Sequence, residues 1–214
     1  MTFSIYRDLS SIAFIRCTSK IEGTSNLAEG TGFSIKSALE KCFSEKIERS
    51  FQVQNQIKAL GIAAHKNPVL SEAHALYETL ETLMLKKIVA NRAVHGFSIL
   101  KTKNIKIYCS KVNKFWFSFI IGKHNGSLVY TYATRSTLIK SVLQSWSEYR
   151  NIKFYNITPA DQLTYTKANK FFQNFEPQLI HSFKTQQINI SQLKKFVHKE
   201  QQHFITYFTQ GEPV

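Results

Sequence analysis

The chain has 214 residues, 43% hydrophobic and 13% aromatic, which is enough for one domain, or one and a half, around a packed core and excludes a disordered tail. No basic-then-apolar start resembles a signal peptide, and the longest apolar run, Phe115 to Ile121, is far short of the ~20 residues a bilayer span needs, so no membrane association is expected. Cys17, Cys42 and Cys109 form no CxxC, so neither a disulfide framework nor a zinc site is expected and a reducing cytoplasm is, while a net charge of +14 favours polyanionic partners.

Residues 3–17 alternate polar and apolar around Ile12, Phe14 and Ile15 and predict a strand or two. Residues 18–32, with Ser, Thr, Asn and glycines, predict a loop that ends in the Gly30-Thr-Gly32 turn. Ser34 is placed to cap a helix over 35–59. Leu39, Cys42, Phe43 and Ile47 form its apolar side, and Lys41, Glu45 and Glu48 fall opposite, within about 60° of one another. Gly61 to Pro68 reads as a second glycine-led loop, with Ser71 capping a helix over 72–92. Its buried stripe is Ala73, Leu76, Tyr77, Leu80, Met84 and Ile88, and Glu78 and Glu81 project together on another side. Lys86, Lys87 and Arg92 suit its C-terminal dipole.

Strands are predicted at 104–110, 115–121 and 128–132, the last after the turn at 123–126. A third helix over 135–150 would bury Leu138, Val142, Leu143 and Trp146 and present Gln144, Glu148 and Arg150. A short strand at 152–157 and polar helical segments complete the chain, so 151–214 is expected to be a helical C-terminal extension. The order predicts an α+β fold, with helices against a mixed or antiparallel sheet.

Two carboxylates three apart with an arginine beside them, as in Glu45, Glu48 and Arg49, can hold a metal ion beside a phosphate. The same spacing also makes an ordinary salt-bridged, solvated helix face, worth ~0.2–0.5 kcal/mol per pair. His65 sits in the second loop, where it could touch a nucleotide or be a plain loop residue. Trp116 and Trp146 read as core rather than as stacking platforms.

Several of these segments together resemble the YcaO-domain family. Gly30-x-Gly32, Ala38 and Glu45-x-x-Glu48-Arg49 look like its first ATP motif, Ser-x-x-x-Glu-x-x-Glu-Arg. Gly61 to His65, followed by Glu72-Ala73, is similar to its second, a glycine-rich loop entering a glutamate-bearing helix that continues to Glu78 and Glu81. Thr131 to Tyr149 is similar to the family's third helix and the segment entering it. The resemblance is strongest over 25–155, and the whole chain, 1–214, is expected to be a single shortened YcaO-like domain.

The resemblance implies a component of a ribosomal-peptide modification system that uses ATP and Mg²⁺ to activate backbone amides, as in azoline formation. It implies that Glu45, Glu48 and Glu78 hold Mg²⁺, that Glu72 and Gln144 join the cofactor set, and that Arg49 meets the phosphates. The implied partners are a precursor peptide and a leader-peptide-binding protein, with a homo- or hetero-oligomer allowed. Departures from the pattern are Lys41 for Ser, Ala63 for Ser, Thr82 for Arg, Gln144 for Glu, and the short interval from Arg49 to Gly61. They leave open a worn scaffold or binding subunit without ATP chemistry. The charge of +14 separately leaves open a nucleic-acid-binding protein.

Overall fold

The computed structural model describes residues 3–7, 15–22, 24, 27–32, 34–124, 127–154, 176–200 and 202–210. The fold is α+β, with helices α1 (Ile35–Gln54), α2 (Pro68–Asn91) and α3 (Leu138–Phe154). The strands are β1 (Phe3–Arg7), β2 (Ile15–Lys20), β3 (Leu27–Gly32), β4 (Gly61–His65), β5 (Ala93–Lys101), β6 (Ile105–Val112), β7 (Phe115–His124), β8 (Ser127–Arg135), β9 (Gln178–His181), β10 (Lys194–Glu200) and β11 (His203–Thr209). The chain divides into two compact units, Met1–Leu76 with Leu193–Val214, and Tyr77–Gln192.

In the first unit β1, β2 and β3 form an antiparallel sheet, and β10, β11 and β4 form another. The expected loop at 18–32 is thus mostly strand, and Gly30 and Gly32 pair with Cys17 and Ile15 across β2. The glycines serve packing rather than a turn. A Cβ on Gly30 would lie 2.1 Å from the Ala38 carbonyl oxygen and 2.3 Å from the Cys42 nitrogen of α1. Only a glycine lets the strand lie on the helix backbone, and the contact closes a core of Cys17, Ile21, Ala28, Ala38 and Cys42. Burial pushes the Cys42 thiol up, and the neighbouring Cys17 adds to the shift.

Ser34 caps α1 as expected, accepting the Ser37 N–H at 3.2 Å. The helix ends at Gln54 rather than 59. Gln56 takes a left-handed φ of 52°, the Gln56 N–H donates to Val53 and the Ile57 N–H to Gln52. That closure turns Ile57 back into a core with Phe51, Ile62, Ala64, Ile205 and Tyr207. Asn67, not Ser71, caps α2: its side-chain oxygen accepts the Val69 and Leu70 N–H groups, and Pro68 fills the first helical position. Ser71 lies fully buried one turn in, where its Oγ accepts the Thr206 N–H at 3.1 Å and reaches the Ala63 and Phe204 carbonyls at 2.8 Å.

The second unit contains a five-stranded sheet in the order β8-β7-β6-β5-β9, antiparallel except for the β5–β9 pair. Strand β5 was not expected from the sequence; it begins after Arg92, whose φ of 51° ends α2. The buried stripe of α2 includes Leu80, Met84 and Ile88 as expected. Leu138, Val142 and Trp146 of α3 pack on the core as expected, beside a fully buried line of Ser141, Ser145 and Tyr149, while Leu143, also expected inside, is exposed. Small hydroxyls suit this line because Ser141 and Ser145 both bond Ser118 of β7, at 2.9 and 2.7 Å. Residues 152–154 end α3 rather than opening a strand, and 155–157 lie outside the described residues.

The expected helical extension is corrected where it is described, since β9, β10 and β11 occupy 178–209. β11 lies between β10 and β4 and is buried on both faces, so its sequence shows no strand alternation. β10 is an edge strand and mostly polar, which mimics a solvated helix in the sequence.

Candidate functional site

The first candidate group stands on α1. Glu45 turns toward β3, where its carboxylate accepts the Glu29 N–H at 3.0 Å and meets the Arg49 guanidinium at 3.4 Å. Burial raises its pKa above the usual carboxylate range, against the pull of Arg49 and the Glu29 N–H. Glu48 is buried and Lys41 exposed. The face is therefore not a uniformly solvated one: one of its carboxylates fastens a strand to the helix. Glu29 in turn receives Arg16 at 2.7 Å.

Glu72 pairs with Lys195 at 3.0 Å, with both side chains about half exposed at 49% and 44%. An exposed pair of this kind contributes roughly 0–1 kcal/mol. His65 accepts the Asn67 N–H on Nδ1 at 2.9 Å, so it helps to shape the turn into α2.

The second group lies in the other unit and gathers residues from α2, α3 and β8. Glu81, with 14% of its side chain exposed, accepts the Thr134 N–H at 2.6 Å and the Arg135 guanidinium at 3.2 Å. Burial pushes its pKa up to about 8; Glu148 and Glu78 add to the rise, and Arg135 and the Thr134 N–H oppose it. Gln144 donates to Glu148 at 2.9 Å, one turn along α3. Arg135 also lies 5.5 Å from the centre of the Tyr77 ring, which packs edge-on against Phe115. The guanidinium is thus held by a carboxylate and an aromatic face together.

Glu78, Glu81, Gln144 and Glu148 therefore share one neighbourhood. Glu45, Glu48, Arg49 and Glu72 belong to the first unit. Sequence reasoning missed Arg135 and placed Glu81 outside the expected ligand set. Their one visible signal was that Arg135 opens the predicted third helix, which also bears Glu148. Carboxylates and an amide are suitable donors for Mg²⁺. Among the described residues, however, no three His, Cys, Asp or Glu side chains converge closely enough to hold a metal ion. Glu45 engages both carboxylate oxygens, one with the Glu29 N–H and one with Arg49, whereas Glu81 sets a single oxygen against both the Thr134 N–H and Arg135.

What the fold and its side chains define is an α+β protein in which each unit carries a helical Glu-x-x-Glu pair with one glutamate fixed to a strand. No family model, curated protein or solved structure matches the chain. No helix among the described residues is long and apolar enough to cross a membrane.

Proposed function

We propose that this chain is a YcaO-like component of a ribosomal-peptide modification system, acting in the ATP-dependent activation of backbone amides. The grouping of Glu78, Glu148 and Arg135 around Glu81, with Gln144 bonded to Glu148, supports this reading. These residues come from the two segments that resemble the family's second and third helices, and they are neighbours although about 70 positions separate them. An arginine 5.5 Å from the centre of the Tyr77 ring offers planar donors to phosphate oxygens, while the crowded carboxylates favour a cationic or protonated ligand group. ATP is the nucleotide this reading expects, with a precursor peptide and a leader-peptide-binding protein as partners. Among the described residues no three His, Cys, Asp or Glu side chains form a metal cage by themselves, so Mg²⁺ would be held by one or two of these carboxylates together with the nucleotide's phosphates.

The departures from the family's pattern, Gln144 for Glu among them, favour a second reading, a YcaO-like binding subunit without ATP chemistry. Calorimetric titration of ATP with and without Mg²⁺ separates the two. On the first reading wild type binds ATP saturably in the presence of Mg²⁺, and Glu78→Gln and Glu148→Gln weaken that binding about tenfold, the change expected from loss of one charged contact of ~1.4 kcal/mol. No heat up to several millimolar nucleotide, about where binding falls to ~4 kcal/mol, leaves the second reading.

A further inference from the structure

β10 is the outer strand of its sheet, and among the described residues only β11 pairs with it. Val197, midway along it, is 54% exposed. Beside the strand lies a cavity of about 550 Å³, within the ~300–1,000 Å³ range of ligand pockets. Phe51 and Ile57 of the α1 end, Phe196, Val197 and His198 of β10, and Tyr207 of β11 contribute to its wall. Two ring pairs form part of the wall, Phe51 stacked on His198 at 5.0 Å and Phe196 on Tyr207 at 5.1 Å, and Gln54, Asn55 and Glu200 add polar groups to it. Lys194, Lys195 and Lys199 make the strand basic, with Glu200 as its one acidic residue. Lys195 is shared with Glu72, and Lys199 lies 5.7 Å from the centre of the Phe204 ring.

We propose that the outer edge of β10 docks an extended acidic peptide segment, which adds as a further strand while one of its apolar side chains enters the cavity. Main-chain hydrogen bonds along the edge would supply the affinity, and the cavity and the lysines the selectivity. Lysines on an edge strand also discourage pairing with a second copy. Antiparallel self-pairing centred on Val197 would set Lys195 opposite Lys199 twice and Lys194 opposite Glu200 twice, so repulsive and attractive pairs offset and charge gives a second copy no net gain. An acidic strand faces three lysines against the single Glu200. The surface belongs entirely to the first unit and uses none of Glu78, Glu81, Gln144 or Glu148, so it stands whether or not nucleotide binds.

The test is fluorescence anisotropy on the full chain. The probe is a fluorescein-labelled, end-capped peptide as long as β10 (7 residues), alternating Asp and Val around a central Phe. Saturable binding is expected, at least ~10-fold weaker when Asp is replaced by Lys, and ~10-fold weaker again when alternate backbone amides are N-methylated. The double variant Lys194→Glu, Lys199→Glu should reverse the preference toward the Lys peptide, which a merely misfolded chain would not do. No saturable binding up to ~1 mM overturns the proposal, as does equal binding of the two peptides or indifference to N-methylation. A concentration-dependent dimer abolished by Val197→Pro would assign the edge to a second copy and overturn the acidic occupant.

Discussion

Glu81→Gln should change how stability depends on pH. In the folded chain Glu81 titrates at about 8, against an ordinary value of 4.5. Below pH 4.5 both folded and unfolded chains carry the proton, and the group contributes no difference. Between 4.5 and about 8 the unfolded chain releases its proton while the folded chain keeps it, so the folded state loses stability as pH rises. Above about 8 the loss is complete and constant. The interval of 8 − 4.5 = 3.5 units sets a ceiling near 5 kcal/mol at ~1.4 kcal/mol per unit. Incomplete desolvation brings the expected effect to ~2–5 kcal/mol. Glutamine keeps an acceptor for the Thr134 N–H but cannot ionise. Urea unfolding of both proteins at several pH values between 5 and 8.5 measures the difference. The variant's stability relative to wild type should rise across that range. His203, whose pKa burial lowers, changes stability in the opposite direction, but it is present in both proteins and cancels in the difference. Arg135, Glu148 and Glu78 face the same carboxylate and are likewise unchanged. A difference that stays constant within ~0.5 kcal/mol from pH 5 to 8.5 would refute a buried, proton-retaining Glu81.

Two further substitutions probe the packing that carries the candidate groups. Gly30→Ala would press a methyl group onto the Ala38 carbonyl and Cys42 nitrogen, and urea unfolding should show a loss of about 3 kcal/mol or non-folding; a loss under ~0.5 kcal/mol would mean that β3 and α1 do not lie this close. Ser71→Ala strips the Thr206 N–H of its buried acceptor and should cost roughly 1–3 kcal/mol, with faster hydrogen exchange at the Thr206 amide as the local readout.

The helices were legible because their signals are local. Ser34 as a cap, the spacing of Leu80, Met84 and Ile88, and that of Leu138, Val142 and Trp146 each need only a few neighbouring residues. What escaped the sequence depended on partners far along the chain. Gly30 and Gly32 looked like a turn because nothing nearby reveals that α1 will lie on them. Ser71 looked like a cap because Thr206, which it binds, is 135 positions away. β11 is sandwiched between two strands and loses its alternation, and β10 resembles a polar helix because it is an edge.

The carboxylate pairs bring the two levels together. In Glu45-x-x-Glu48 and Glu78-x-x-Glu81 one glutamate of each pair accepts a strand N–H, from Glu29 and Thr134, and meets an arginine, Arg49 and Arg135. Spacing alone could not distinguish a solvated face from a ligand set, and the structure shows a third use, the fastening of helix to strand. This use governs which variants can diagnose function. Replacing Glu45 or Glu81 disturbs a buried strand contact, so lost nucleotide binding in those variants would confound stability with recognition. Glu78 and Glu148 both raise the Glu81 pKa, so they face the same group. Removing either charge is diagnostic once unfolding is measured beside it: unchanged unfolding free energy alongside weakened ATP binding would be the signature of a ligand role.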